Sequence, residues 1–169
     1  MELDFGTIAI GVFSLLACIL PFILDYRSRK KKENKLLEPL KKIAQQQNCQ
    51  INEYEVGRNF VIGIDNIEKS VFFYKEEQGK VISQVIDLDI IQTCKVITSH
   101  KTMSHAKGNY KVVIKLELSF ISNTKTEQTW EFYNADVLPQ LNGEVQLTEK
   151  WSKLINKQLN NSLVTEHDV

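Results

Sequence analysis

Residues 60 to 74 read Phe60-Val61-Ile62-Gly63-Ile64-Asp65-Asn66-Ile67-Glu68-Lys69-Ser70-Val71-Phe72-Phe73-Tyr74. Phe60, Ile62 and Ile64 alternate with Val61 and Gly63, the period of a strand, and Asp65 to Lys69 supplies turn chemistry before a second apolar run. A β-hairpin is predicted. Downstream, Val81 to Leu88 and Cys94 to Thr98 keep a β-rich composition on either side of a corner at Asp87-Leu88-Asp89. Tyr110, Val112, Ile114, Leu116, Leu118 and Phe120 alternate with Lys111, Lys115, Glu117 and Ser119, which predicts a long strand with one face in the core. After a polar turn at Ser122 to Lys125, Trp130 and Phe132 share a face of a further strand. Leu147, Trp151, Leu154, Ile155 and Leu159 then recur at helical intervals, so a closing helix should begin between Asn142 and Thr148 and fray beyond Asn160.

The N-terminal part has a different character. Phe5 to Leu24 contain no charged side chain, and Arg27, Arg29, Lys30, Lys31, Lys32 and Lys35 follow. Twenty apolar residues match the roughly 30 Å hydrocarbon core of a bilayer, so a single transmembrane helix is expected, with the six basic residues as its membrane neck. No Lys or Arg precedes the run, and the positive-inside bias would place the N-terminus outside and the remainder in the cytoplasm. Thr7, Gly11, Ser14 and Cys18 stack on one helical face, a possible helix-helix contact of small residues. Leu36, Leu37, Leu40, Ile43 and Ala44 form an apolar stripe, read as a linker helix that starts after a break between Lys32 and Leu37.

The expected organisation is an anchor and neck at 1–35, a linker helix at 36–49, a β domain with its C-terminal helix at 50–160, and a disordered tail at 161–169. The fold class is α+β: a mainly antiparallel curved sheet or partly open barrel capped by an amphipathic helix. Asn59 to Asp65, Ser70 to Tyr74, and Val85 to Ile91 with its Ile86-x-Leu88-x-x-Ile91 corner resemble the bacterial pleckstrin-homology-like domains that often follow membrane spans. The resemblance covers about residues 50 to 160. It implies a PH-like fold, contains no catalytic signature, and carries over fold rather than activity. Such scaffolds host lipids, peptides and proteins alike. The basic cluster of headgroup-binding members is missing from the Asp65 to Ser70 turn, which carries Asp65, Glu68 and only Lys69.

Charge narrows the partners. The chain holds 21 basic and 21 acidic residues; six and four lie in the first 35, leaving 15 and 17 in the remainder. A slightly acidic domain of this kind does not invite nucleic acid. No Walker loop, GxGxxG, GxSxG or HExxH motif occurs, and seven glycines leave little material for a phosphate loop, so no catalytic residue, cofactor or metal is assigned. His100 and His105, with Lys101 and Lys107, lack a third ligand nearby and read as a polar hairpin loop, Ser99 to Asn109, the alternative being a loop that dips toward headgroups with its histidines cationic near pH 6. Asp65, Asp87 and Asp89 suit turns and caps better than acid-base chemistry. Cys18, Cys49 and Cys94 show no CxxC spacing and read as reduced thiols. Trp130 and Trp151 are expected in the core rather than in a ligand cage.

The function expected is that of a non-enzymatic single-pass inner-membrane protein presenting its domain to a protein partner, plausibly as an accessory subunit of a membrane complex. Two readings compete with it. One is peripheral recognition of anionic lipid headgroups by the domain and the basic neck; the other is a membrane-tethered enzyme whose site carries no known motif.

Overall fold

A computed structural model describes the backbone of residues 5–105 and 108–166 and the side chains of 17–104 and 108–161. The order of elements is α1 (Phe5–Gln46), β1 (Glu53–Val56), β2 (Phe60–Asp65), β3 (Ser70–Glu77), β4 (Lys80–Asp87), a 3-10 turn (Leu88–Ile90), β5 (Ile91–His105), β6 (Gly108–Ser122), β7 (Glu127–Asn134) and α2 (Glu144–Glu166). All pairings are antiparallel, in a four-stranded sheet A of order β1-β2-β3-β4 and a three-stranded sheet B of order β5-β6-β7.

The hairpin that opens the reading forms sheet A's centre. Ile62 pairs with Phe73 and Asp65 with Ser70, leaving Asn66 to Lys69 as the turn. Because side chains alternate along a strand, β2 and β3 present one apolar set to each face, and both sets are buried. Phe60, Ile62, Ile64, Val71 and Phe73 pack with Leu116, Leu118, Phe120, Trp130 and Phe132 of sheet B and with Trp151, Ile155 and Leu159 of α2. Stacked and tilted aromatic pairs knit this core, with ring centroids 5.3 Å apart for Phe73 and Trp130 and 4.8 Å for Phe60 and Phe132. Val61, Phe72 and Tyr74 point the other way, against Leu36, Leu37, Leu40 and Ala44 of α1. Gly63 lies at this seam, where a Cβ would come within 2.8 Å of Ile51 and 3.1 Å of Leu40. The missing side chain lets the helix sit close on the strand.

α2 closes the open end between the sheets. Its Asn156 side chain treats β5 as a neighbouring strand would: Oδ1 accepts the Cys94 N–H at 3.1 Å and Nδ2 donates to the Cys94 carbonyl at 2.7 Å. Trp151 Nε1 donates to Glu55 at 3.3 Å, and Gln158 Nε2 donates to Asn66 Oδ1 at 2.8 Å, so the helix is fastened to both sheets.

Several expectations are corrected. Among the described residues no helix is long and apolar enough to cross a membrane, so the expected single transmembrane helix is not found. The break between Lys32 and Leu37 is absent as well: α1 is continuous and carries Pro21 and Pro39 within it. Its stripe at 36–44 packs on sheet A, against Val61, Phe72 and Tyr74. The strands do not form a partly open barrel. They divide into two separately laddered sheets, because the 3-10 turn capped by Asp87 carries the chain from β4 to β5 with no pairing between them. The loop expected at 99–109 is instead mostly ladder, with His100 opposite Val113 and Ser104 opposite Asn109. The closing helix runs on to Glu166 rather than fraying at Asn160.

Trp151 is 2% exposed at the junction of α2 and both sheets. Trp151→Ala is expected to cost about 3 to 5 kcal/mol, read as a lower melting temperature of the full chain. A melting temperature equal to that of the parent would place this Trp outside the core.

Candidate functional site

One end of the fold carries most of the unassigned surface. α1 lies on sheet A only as far as Leu36; from Ala17 to Lys35 its side chains are exposed, apart from half-buried Glu33. Ile19, Leu20, Phe22, Ile23 and Leu24 are 44 to 77% exposed, and the basic neck follows them directly. Of the neck residues, Arg29 pairs with Asp25 at 2.9 Å, Lys35 pairs with Glu76 at 2.9 Å, and Lys30 lies 5.9 Å from the centre of the Tyr26 ring. Thr7, Gly11 and Ser14 lie outside the described side chains; Cys18 is exposed.

Beneath the neck runs an open cleft of about 690 Å³ between α1, the β1–β2 turn and the start of α2. Two of its four cations have carboxylate partners within the cleft: Lys150 meets Glu55 at 2.6 Å, and Arg58 lies 4.0 Å from Glu144; Arg29 and Lys32 line it as well. Glu144 is buried and also accepts the Asn142 N–H. The pairing of Lys150 and Arg58 lowers what the cleft offers a polyanion.

The carboxylates suspected of chemistry are structural. Asp65 accepts N–H groups from Gln50 at 2.6 Å, Ile67 at 2.9 Å and Glu68 at 3.1 Å. Burial pushes its carboxyl up, but these three donors outweigh that and hold it below the usual value. Asp87 caps the 3-10 turn by accepting the Asp89 N–H, and Asp89 pairs with Lys69 at 3.1 Å. Neither cysteine of the domain is poised as a nucleophile: burial pushes the Cys94 thiol up to about 12 against the Ser152 hydroxyl, and burial also raises that of Cys49. Among the described residues no three His, Cys, Asp or Glu side chains gather as metal ligands.

A buried ionic cluster joins the sheets on the same side of the fold. Lys75, 3% exposed, meets Glu77 at 2.6 Å and Glu131 at 2.8 Å, and Lys115 meets Glu117 at 2.8 Å and Glu131 at 3.6 Å. The hydrogen bond to Glu117 is the main cause that raises the Lys115 ammonium above its ordinary value, against the effect of burial. Past this cluster β5 and β6 continue without β7 as an exposed ribbon, which the strand pattern at 110–120 did not reveal. The signal was present: residues 90 to 116 contain five lysines and no carboxylate.

Comparison with known proteins finds no matching family model, no matching curated protein and no matching solved structure. The resemblance to pleckstrin-homology-like domains therefore rests on the residue pattern of 59–91.

Two outcomes test this assignment of polar groups. Because the folded Asp65 carboxyl titrates below its unfolded value of 3.8, its stabilisation is complete above that value and is lost as pH falls through the lower folded one. Asp65→Asn is therefore expected to be less stable than the parent at neutral pH by about 1.5 to 3 kcal/mol, the range for hydrogen bonds to a charged acceptor. The gap in urea midpoint should narrow only below 3.8. Asn156→Ala leaves the buried Cys94 N–H without an acceptor while Ser152 Oγ still serves the Cys94 carbonyl at 3.2 Å. A loss of about 1 to 3 kcal/mol is expected, with faster amide exchange at Cys94.

Proposed function

We propose that this chain is a non-enzymatic docking module whose α1 places its apolar, basic-flanked end in a bilayer interface and holds the domain there for a protein partner. The observation that carries the reading is the run of exposed Ile19, Leu20, Phe22, Ile23 and Leu24 on a helix standing clear of the fold, with the neck cations next to it. Apolar side chains exposed around a helix seek an apolar phase, and each Lys or Arg near an anionic leaflet contributes roughly 1 kcal/mol. A protein partner has an available surface in β4, an edge strand with exposed Val81 and Ile82 and no charged residue between Lys80 and Asp87. Such an edge is a template for an added strand. The non-enzymatic part is supported by the engagement of Asp65, Asp87, Asp89 and the buried thiols in the fold itself. Headgroup recognition by the cleft is disfavoured by its internal ion pairs.

Flotation of the full chain with phosphatidylcholine vesicles, with and without phosphatidylglycerol, tests the reading. The protein should rise with both and bind the anionic vesicles more tightly, and Leu20→Asp with Ile23→Asp should leave it in the dense fraction. Failure of the parent chain to rise with either vesicle refutes the proposal.

A further inference from the structure

The β5–β6 ribbon projects beyond the body of the fold with described residues His100 to Ser104 and Gly108 to Lys111 all exposed. Register assigns its two faces. Met103 pairs with Tyr110 and Lys101 with Val112 on one; His100 pairs with Val113, Thr102 with Lys111 and Ser104 with Asn109 on the other. Met103 and Tyr110 are 43% and 48% exposed. The ribbon thus combines an apolar and aromatic pair with Lys101 on the same face and Lys111 on the other, in a stretch free of carboxylates from Ile90 to Leu116. Elsewhere in the domain Lys35, Lys69, Lys75, Lys115 and Lys150 have carboxylate partners.

The ribbon and the projecting part of α1 leave the fold from adjacent residues of β3. α1 passes Glu76, where Lys35 is paired, and the ribbon passes the cluster in which Lys75 meets Glu131 and Glu131 meets Lys115. Leu24 lies eleven helical residues beyond Lys35, about 17 Å, and Tyr110 lies five strand residues beyond Lys115, also about 17 Å. Tyr and Met beside Lys suit the boundary between headgroups and acyl chains, where an amphipathic ring keeps its hydroxyl wet. A nucleic-acid surface would instead call for a broad basic face without an apolar centre.

We infer that the ribbon is a second contact with the bilayer: Met103 and Tyr110 enter the interface, and Lys101 and Lys111 bind anionic lipid phosphates. This rests on the proposed placement of α1. The domain would then be held at two points, fixing how it faces the membrane.

The test uses full-length protein and the same two vesicle types. Lys101→Gln with Lys111→Gln should weaken binding to phosphatidylglycerol-containing vesicles about 30-fold, a factor of roughly five per basic residue, and leave binding to phosphatidylcholine vesicles unchanged. Lys101→Arg with Lys111→Arg should bind like the parent, and Met103→Ser with Tyr110→Ser should weaken binding to both vesicles. Equal melting temperatures are expected throughout, since every changed residue is exposed. If the parent binds and the glutamine pair binds anionic vesicles equally well, the ribbon contact is refuted while the α1 reading stands; if the parent binds neither vesicle, both fall. An RNA gel shift lost in the glutamine pair, without a change in vesicle binding, would reassign the ribbon to nucleic acid and overturn the inference.

Discussion

Sheet A is covered on both faces, and this one constraint organises the rest of the molecule. Burying Phe60, Ile62, Ile64, Val71 and Phe73 needs sheet B and α2; burying Val61, Phe72 and Tyr74 needs α1. The second half of α1 therefore cannot be a tether attached to a finished domain, because removing it would expose Val61 and Phe72, both 0% exposed. The projecting half inherits its direction from this packing. A continuous helix seated on four residues of its own stripe transmits the orientation of the sheet to whatever its far end touches.

The sheets themselves meet without a shared ladder. What fills the gap is an aromatic core, α2 and the Lys75, Glu77, Glu131, Lys115 cluster. A buried ammonium is costly unless paired, and here it has two carboxylates within hydrogen-bond reach. Register irregularities sit beside this junction, between Ser99 and His100 in β5 and between Leu116 and Glu117 in β6. A local increase in strand twist at such points turns the ribbon out of the sheet.

The sequence made the hairpin, its turn, the core tryptophans and the start of the closing helix legible, because each depends on spacing within a few residues of itself. Features that depend on partners distant in sequence were not. Val61 and Phe72 reveal a second buried face only when Leu40, more than twenty residues upstream, is placed over Gly63. The alternation from Tyr110 to Phe120 is uniform, yet only its second half meets β7, so its first half, Tyr110 among it, was wrongly assigned to the core. The neck cations were identified from their run, but the matching of Lys35 with Glu76 needed the fold.

Asn156 completes a sheet with a side chain. A carboxamide carries one acceptor and one donor group on a planar frame, the same pair that a peptide unit offers along a strand, and α2 uses it to satisfy both backbone groups of Cys94 at once. Aspartate at this position would still accept from the amide but would set a negative oxygen against the Cys94 carbonyl, and leucine would match neither group. The helix thus stands in for a neighbouring strand at one position of β5, and a chain arriving to pair there would first have to displace α2.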